Sequence, residues 1–138
     1  MTQALLTGLS RTTRPQSVLR RLLALDAVVT GANGLAYAVA PGPLGELLGI
    51  ERGLLFELGL LLAVYAAGVG LLASRPVPSV PGVKAVIDIN LLWTVGSVLA
   101  IVGWIDPTTA GTVWTLLQAG TVAGFAALQW AALRATRR

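Results

Sequence analysis

Residues 22–40 read LLALDAVVTGANGLAYAVA, nineteen nearly unbroken apolar positions interrupted by Asp26, Thr30, Asn33 and Tyr37. No alternation with period two runs through them, so they do not read as a strand with one wet face. Crossing the hydrocarbon core of a bilayer takes a helix of about 20 apolar residues. The polar members are spaced by four, three and four residues. At 3.6 residues per turn they share one face of a helix. Turned to lipid, such a face would leave a carboxylate and an amide unsatisfied, so it must turn toward other helices. The stretch is the first member of a transmembrane bundle.

Three further windows match it: Gly53–Ser74, Ala85–Ile105 and Ala110–Leu133, of 22, 21 and 24 residues. The seven prolines, at 15, 41, 43, 76, 78, 81 and 107, all fall outside the four windows. Proline breaks a helix interior because it lacks the N–H and clashes with the preceding turn. A transmembrane barrel would need alternating strands of roughly ten residues, and none is visible. Of the 138 residues, 55% are hydrophobic and 12% charged, about half the charge of a soluble domain. The expectation is an all-α, single membrane domain over residues 1–138.

The connections complete the topology. Pro41–Arg52 carries Leu44, Leu47 and Leu48 at helical spacing and reads as a loop with a short interfacial turn. The segment RPVPSVPGVK, Arg75–Lys84, reads as a stiff turn. Asp106–Thr109 reads as a tight turn with Asp106 as helix N-cap and Pro107 in the first helical position. Short links make consecutive helices antiparallel neighbours, which predicts an up-down-up-down four-helix bundle.

Ten Lys and Arg face six Asp and Glu. Arg11, Arg14, Arg20, Arg21, Arg75, Lys84, Arg134, Arg137 and Arg138 fall on one side of the four spans, and Arg52 alone on the other. Positive loops stay cytoplasmic, which places both termini inside. Topology thus accounts for the basic charge, and no aromatic-basic patch accompanies it, so nucleic acid is not an expected partner. Ala38-Val39-Ala40 imitates a signal-peptidase site, but the apolar stretch is long, holds Asp26 and is followed by Pro41, so the first span is expected to be retained. The expected location is a bacterial inner membrane, crossed several times.

With no Cys and no His, disulfides, Cys/His zinc sites, His- or Cys-ligated haem and a Ser-His-Asp triad are excluded. No acid/base pair or activated nucleophile is discernible, so no catalysis is expected, and no cofactor or metal. The chemistry-bearing groups are those inside the spans. The third span aligns Asn90, Trp93, Thr94, Ser97 and Trp104, and the fourth Trp114, Gln118, Thr121, Phe125 and Gln129. Three polar stripes should converge on the bundle axis. They read either as glue between helices or as the lining of a small-molecule cavity. The candidate ligand-binding residues are Asp26, Asn33, Asn90, Trp93 and Gln118, with Tyr65 as a further apolar wall.

Asp26 has no basic residue at i±3 or i±4. Two readings stay open: an ion pair with Arg75, Lys84 or Arg134 at the inner end, or a carboxylate that titrates or binds a cation. Tyr37, Phe56, Trp104 and Trp114 fall near the outer boundary, as an interfacial belt would. Small residues recur at Gly59, Ala63, Ala66, Gly70 and Ala73, and again at Gly120 and Gly124. Such stripes let helices approach closely. The Gly120/Gly124 stripe is expected to seat a neighbouring helix of the same chain, with a homodimer face as the alternative.

The segments DAVVTGANGLAY from Asp26, PGPLGELLG from Pro41, INLLW from Ile89 and TTAGTVW from Thr108 together resemble small four-span membrane proteins of actinobacteria. The layout is loosely similar to the DoxX-like set, whose first span runs into a Pro/Leu/Gly loop. That resemblance implies a membrane fold and, for some members, redox-associated complexes, but it transfers no residue role. Four spans, an acidic residue in the first and glycines in the fourth also resemble small multidrug resistance transporters, although those carry Glu where this chain has Asp26.

The expected function is non-catalytic: binding of a lipid or amphiphilic small molecule in the bundle core, or service as an accessory subunit of a membrane complex. The alternative is a proton-coupled exporter using Asp26. The bilayer is the expected partner, with a homodimer or larger complex also open.

Overall fold

The computed structural model describes residues 14–136, so Arg11, Arg137 and Arg138 of the charge count lie outside the described residues. The chain forms helices α1 (Arg14–Val39), α2 (Pro41–Leu48), α3 (Arg52–Ala73), α4 (Val80–Gly103) and α5 (Thr109–Thr136). Among the described residues four helices, all but α2, are long and apolar enough to cross a membrane. The all-α four-helix bundle is therefore as expected.

The ends differ from the apolar windows, for local reasons. Helix α1 starts at Arg14 and α4 at Val80, eight and five residues before their windows. Their prolines, Pro15 and Pro81, sit in the first turn, where a missing N–H costs nothing. Ser79 caps α4, its hydroxyl accepting from Gly82 N–H at 3.2 Å. For α5 the cap is Thr108, not Asp106: its Oγ1 accepts from Gly111 N–H at 3.1 Å and its carbonyl from Thr112 N–H at 2.8 Å. The expected interfacial turn is α2, a two-turn helix ended by Gly49 at φ +72°. This is left-handed backbone that glycine adopts without strain.

Consecutive helices are not all neighbours. Helix α1 packs mainly on α3, α4 on α5, and α1 against α5 joins the two pairs. Helices α3 and α4, joined by only six residues, scarcely touch. The order round the bundle is α3, α1, α5, α4, with the fourth side ajar. Glycine explains the tight side. A Cβ on Gly34 would stand 2.8 Å from the Gly59 carbonyl oxygen and 2.9 Å from Ala63 N, so the two backbones are in direct contact. Small residues permit this approach where lipid supplies no hydrophobic drive. Helix α3 thereby commits Gly59, Ala66 and Ala73 to burial and leaves Leu61 and Val64 exposed.

The end carrying Arg20, Arg75, Lys84 and Arg134 is closed. Leu19 and Leu23 of α1, Val69 and Ala73 of α3, Val83, Val86 and Ile87 of α4, and Ala126 and Leu133 of α5 form one buried cluster there. Arg20 Nε donates to the Ala73 carbonyl at 3.1 Å, satisfying a C-terminal acceptor of α3. At the opposite end Tyr37, Leu48, Leu55 and Leu62 form a smaller cluster under α2. Helix α2 is tied down there, Thr108 donating from N to Leu48 O at 3.1 Å and from Oγ1 to Leu47 O at 2.6 Å. The gap between α3 and α4 thus opens away from the basic end.

Among the described residues the Gly120/Gly124 stripe seats no helix. Nothing lies within 4 Å of where either Cβ would be, and both glycines are exposed. The buried face of α5 is instead Thr115, Ala119, Ala126, Gln129, Ala132 and Leu133.

Candidate ligand-binding site

One carboxylate organises the polar interior. Asp26 is 1% exposed. Its Oδ2 accepts from Asn90 Nδ2 and Gln129 Nε2, each at 2.8 Å, and its Oδ1 accepts from Thr30 Oγ1 at 3.0 Å. The second N–H of Asn90 reaches Gln129 Oε1 at 3.2 Å. The Asn90 side-chain oxygen accepts from Tyr65 Oη at 3.0 Å, and Tyr65 also lies 3.2 Å from the Val86 carbonyl. Donors from α1, α4 and α5 converge on Asp26, and Tyr65 of α3 joins through Asn90. Both oxygens of Asp26 are thus bonded within the protein.

The expected ion pair is not formed. Among the described residues the partners of Asp26 are two amides and a hydroxyl, while Arg20 is turned to the Ala73 carbonyl and Arg134 lies over the Trp130 ring at 4.8 Å. The reason is depth. Asp26 is five residues past Arg21, Asn90 six past Lys84 and Gln129 five before Arg134. At 1.5 Å per residue the network sits about 8 Å inward of the cation ring. Buried amides therefore take the place of a counter-ion.

Beyond this network two cavities open. The inner one, of about 330 Å³, is lined by all four long helices and includes Thr30, Asn33, Tyr65, Asn90, Trp93 and Gln118. The outer one, of about 370 Å³, lies under α2 between α3 and α4 and includes Tyr37, Leu58, Trp93, Ser97, Thr115 and Gln118. Each has the size of a small-molecule pocket. They share Ile89, Trp93 and Gln118, and Trp93 Nε1 donates to Gln118 Oε1 at 3.1 Å. That pair is the partition between the chambers. Exposed Leu61 of α3 and exposed Ile89 and Leu92 of α4 stand on the walls, so the chambers face the hydrocarbon where these helices part.

Asn33, Asn90, Trp93 and Gln118 thus all border one cavity, but they are not bonded as a trio of amides. Asn90 belongs to the Asp26 network, Gln118 to Trp93, and Asn33 makes no side-chain hydrogen bond among the described residues. Asp26 stands behind the inner cavity and does not line it. One aromatic assigned to the interfacial belt is internal: Tyr37 is 5% exposed, and its Oη accepts from Nε1 of Trp114, itself 39% exposed, at 2.6 Å. Gln129, absent from the candidate residues, is as important to the network as Asn90. Its signal was available in the counts from Arg21, Lys84 and Arg134, which place Asp26, Asn90 and Gln129 at one depth.

The chemistry on offer is recognition. Among the described residues the linings hold amides, hydroxyls and indoles in an apolar frame and no charged side chain. Compared with known families, with functionally described proteins and with solved structures, the chain matches none.

Proposed function

We propose that this integral membrane protein is non-catalytic and binds a single-chain amphiphile, taken up sideways from the bilayer into the wedge between α3 and α4. The reading is carried by one observation: two adjoining cavities, apolar in their walls and polar at their backs, open on the side where α3 and α4 separate. A bundle closed for its own sake would zip this seam as it zips the α1/α3 crossing. The charge bias of the connections supports a cytoplasmic location for both termini, in a bacterial inner membrane.

The test is native mass spectrometry of the protein released in mild detergent. A stoichiometric adduct in the mass range of a lipid or isoprenoid, lost in Asn33→Leu, is the expected result. An apo protein that also fails to label with a photoactivatable single-chain lipid overturns the reading.

The buried carboxylate without a cation is what favours the alternative, a proton-coupled exporter. Against it, Asp26 is behind the cavity and both its oxygens are occupied. A pH-gradient flux abolished by Asp26→Asn would reverse this preference.

A further inference from the structure

Two indoles determine what the outer cavity can recognise. An indole N–H only donates. Trp93 uses its N–H on the side-chain oxygen of Gln118 at 3.1 Å, and Trp114 uses its own on the hydroxyl oxygen of Tyr37 at 2.6 Å. Each oxygen accepts one of these bonds, which leaves the residue's own donors free. Gln118 is left with its amide N–H groups and Tyr37 with its hydroxyl proton. Among the described residues neither finds an acceptor in the protein. The hydroxyls of Thr115 and Ser97 on the same wall make no hydrogen bond among these residues either. Tyr37 is 5% exposed and Thr115 7% exposed, and both line the outer cavity. Unmet donors in an apolar pocket are costly, and here at least two residues aim them into one chamber.

Charge narrows the partner further. Among the described residues no Lys, Arg, Asp or Glu lines either cavity, so a charged head group there would have no counter-ion on the walls.

The geometry points to a head-group site in the outer cavity, formed by Tyr37, Thr115 and Gln118, that selects an uncharged amphiphile by a hydrogen-bond-accepting carbonyl. The chain of that amphiphile lies along Leu58, Ile89 and Leu92. This rests on the amphiphile-binding reading and adds the chemistry of the head. Trp93 has two duties in it: its ring walls both chambers, and its N–H turns Gln118 so that donors face the ligand.

The experiment uses the full chain in detergent and three probes of equal chain length: a monoacylglycerol, its alkyl ether analogue without the carbonyl, and the free fatty acid at pH 8. One hydrogen bond corresponds to about a fivefold change in Kd, so the wild type is expected to bind the ester at least fivefold more tightly than the ether and to bind the fatty acid anion weakest. Tyr37→Phe/Thr115→Val is expected to lose most of the preference for the ester, Gln118 alone being left to donate to the carbonyl. Thr115→Val alone leaves the Tyr37–Trp114 bond in place, so its thermal unfolding should match wild type while its ester preference falls at least twofold. Equal binding of ester and ether by the wild type, an undiminished preference in folded Thr115→Val, or a fatty acid bound as tightly as the ester overturns the head-group site and leaves amphiphile binding standing. Failure of all three probes to bind overturns both.

Discussion

The side chains of Asp26 and Asn90, 64 residues apart in sequence, meet at 2.8 Å in the interior of the bundle. Both polar atoms of the Asn90 side chain are engaged there: one N–H goes to Asp26, the other to Gln129, and its oxygen accepts from Tyr65. One residue of α4 thereby connects the buried carboxylate of α1, the amide of α5 and the phenol of α3. It also borders the inner cavity, so that cavity and the polar core share a wall.

This arrangement makes the pattern of hydrogen bonds at position 26 more important than its charge. Asp26→Asn keeps one oxygen to accept from Asn90 and Gln129, and its amide can donate to the Thr30 hydroxyl, which reverses role. Asp26→Leu removes all three bonds. At about 0.6 kcal/mol for each side-chain bond in a bilayer, the leucine variant is expected to lose about 2 kcal/mol and the asparagine variant under 1. Equilibrium unfolding in a denaturing-detergent titration measures both. Equal losses would show that the carboxylate's charge itself holds the core.

Glycines of the same type should respond with opposite sign. A methyl on Gly34 meets the backbone of Gly59 and Ala63 at 2.8 and 2.9 Å, and backbone cannot step aside as a flexible side chain does. Overpacking of this kind costs about 1–3 kcal/mol, so Gly34→Ala is expected to destabilise. Gly120→Ala and Gly124→Ala meet nothing within 4 Å and gain helix propensity, about 0.5–1 kcal/mol each. The same unfolding assay compares the three.

Loss of the indole N–H at the partition should broaden recognition. Trp93→Phe keeps a ring on the wall and frees the Gln118 oxygen to accept from a ligand, while the Gln118 amide N–H groups still donate. Long-chain alcohols are expected to gain several-fold in affinity relative to the ester probe. An unchanged alcohol-to-ester ratio in a titration of this variant would mean that Gln118 does not face the ligand.

Topology is directly measurable because the chain has no cysteine. Val77, in the connection at the basic end, and Glu46, on α2 at the other, are both exposed. With cytoplasmic termini, a membrane-impermeant maleimide added to intact cells is expected to label Glu46→Cys and spare Val77→Cys. The reverse pattern would invert the orientation.

Much of this was legible in the residues. Apolar length and the absence of proline from span interiors determined four helices, because a bilayer leaves no other way to satisfy the backbone. The face shared by Asp26, Thr30, Asn33 and Tyr37 had to turn inward for the same reason. So the sequence by itself pointed Asn33, Asn90, Trp93 and Gln118 inward, although Trp104, Trp114 and Thr121 of the same stripes are exposed. The pairing of those residues was beyond its reach. Helical periodicity specifies a direction around one axis, but which amide meets which carboxylate depends on the relative depth and rotation of separate helices. Tertiary structure made those choices through backbone contact at Gly34 and Gly59, which committed α3 to α1 and parted it from α4. The same packing left Gly120 and Gly124 facing outward, sank Asp26 below the reach of its expected cations, and opened the wedge between α3 and α4. Short connections favour neighbouring helices, but the close packing that small residues permit decided which neighbours touch.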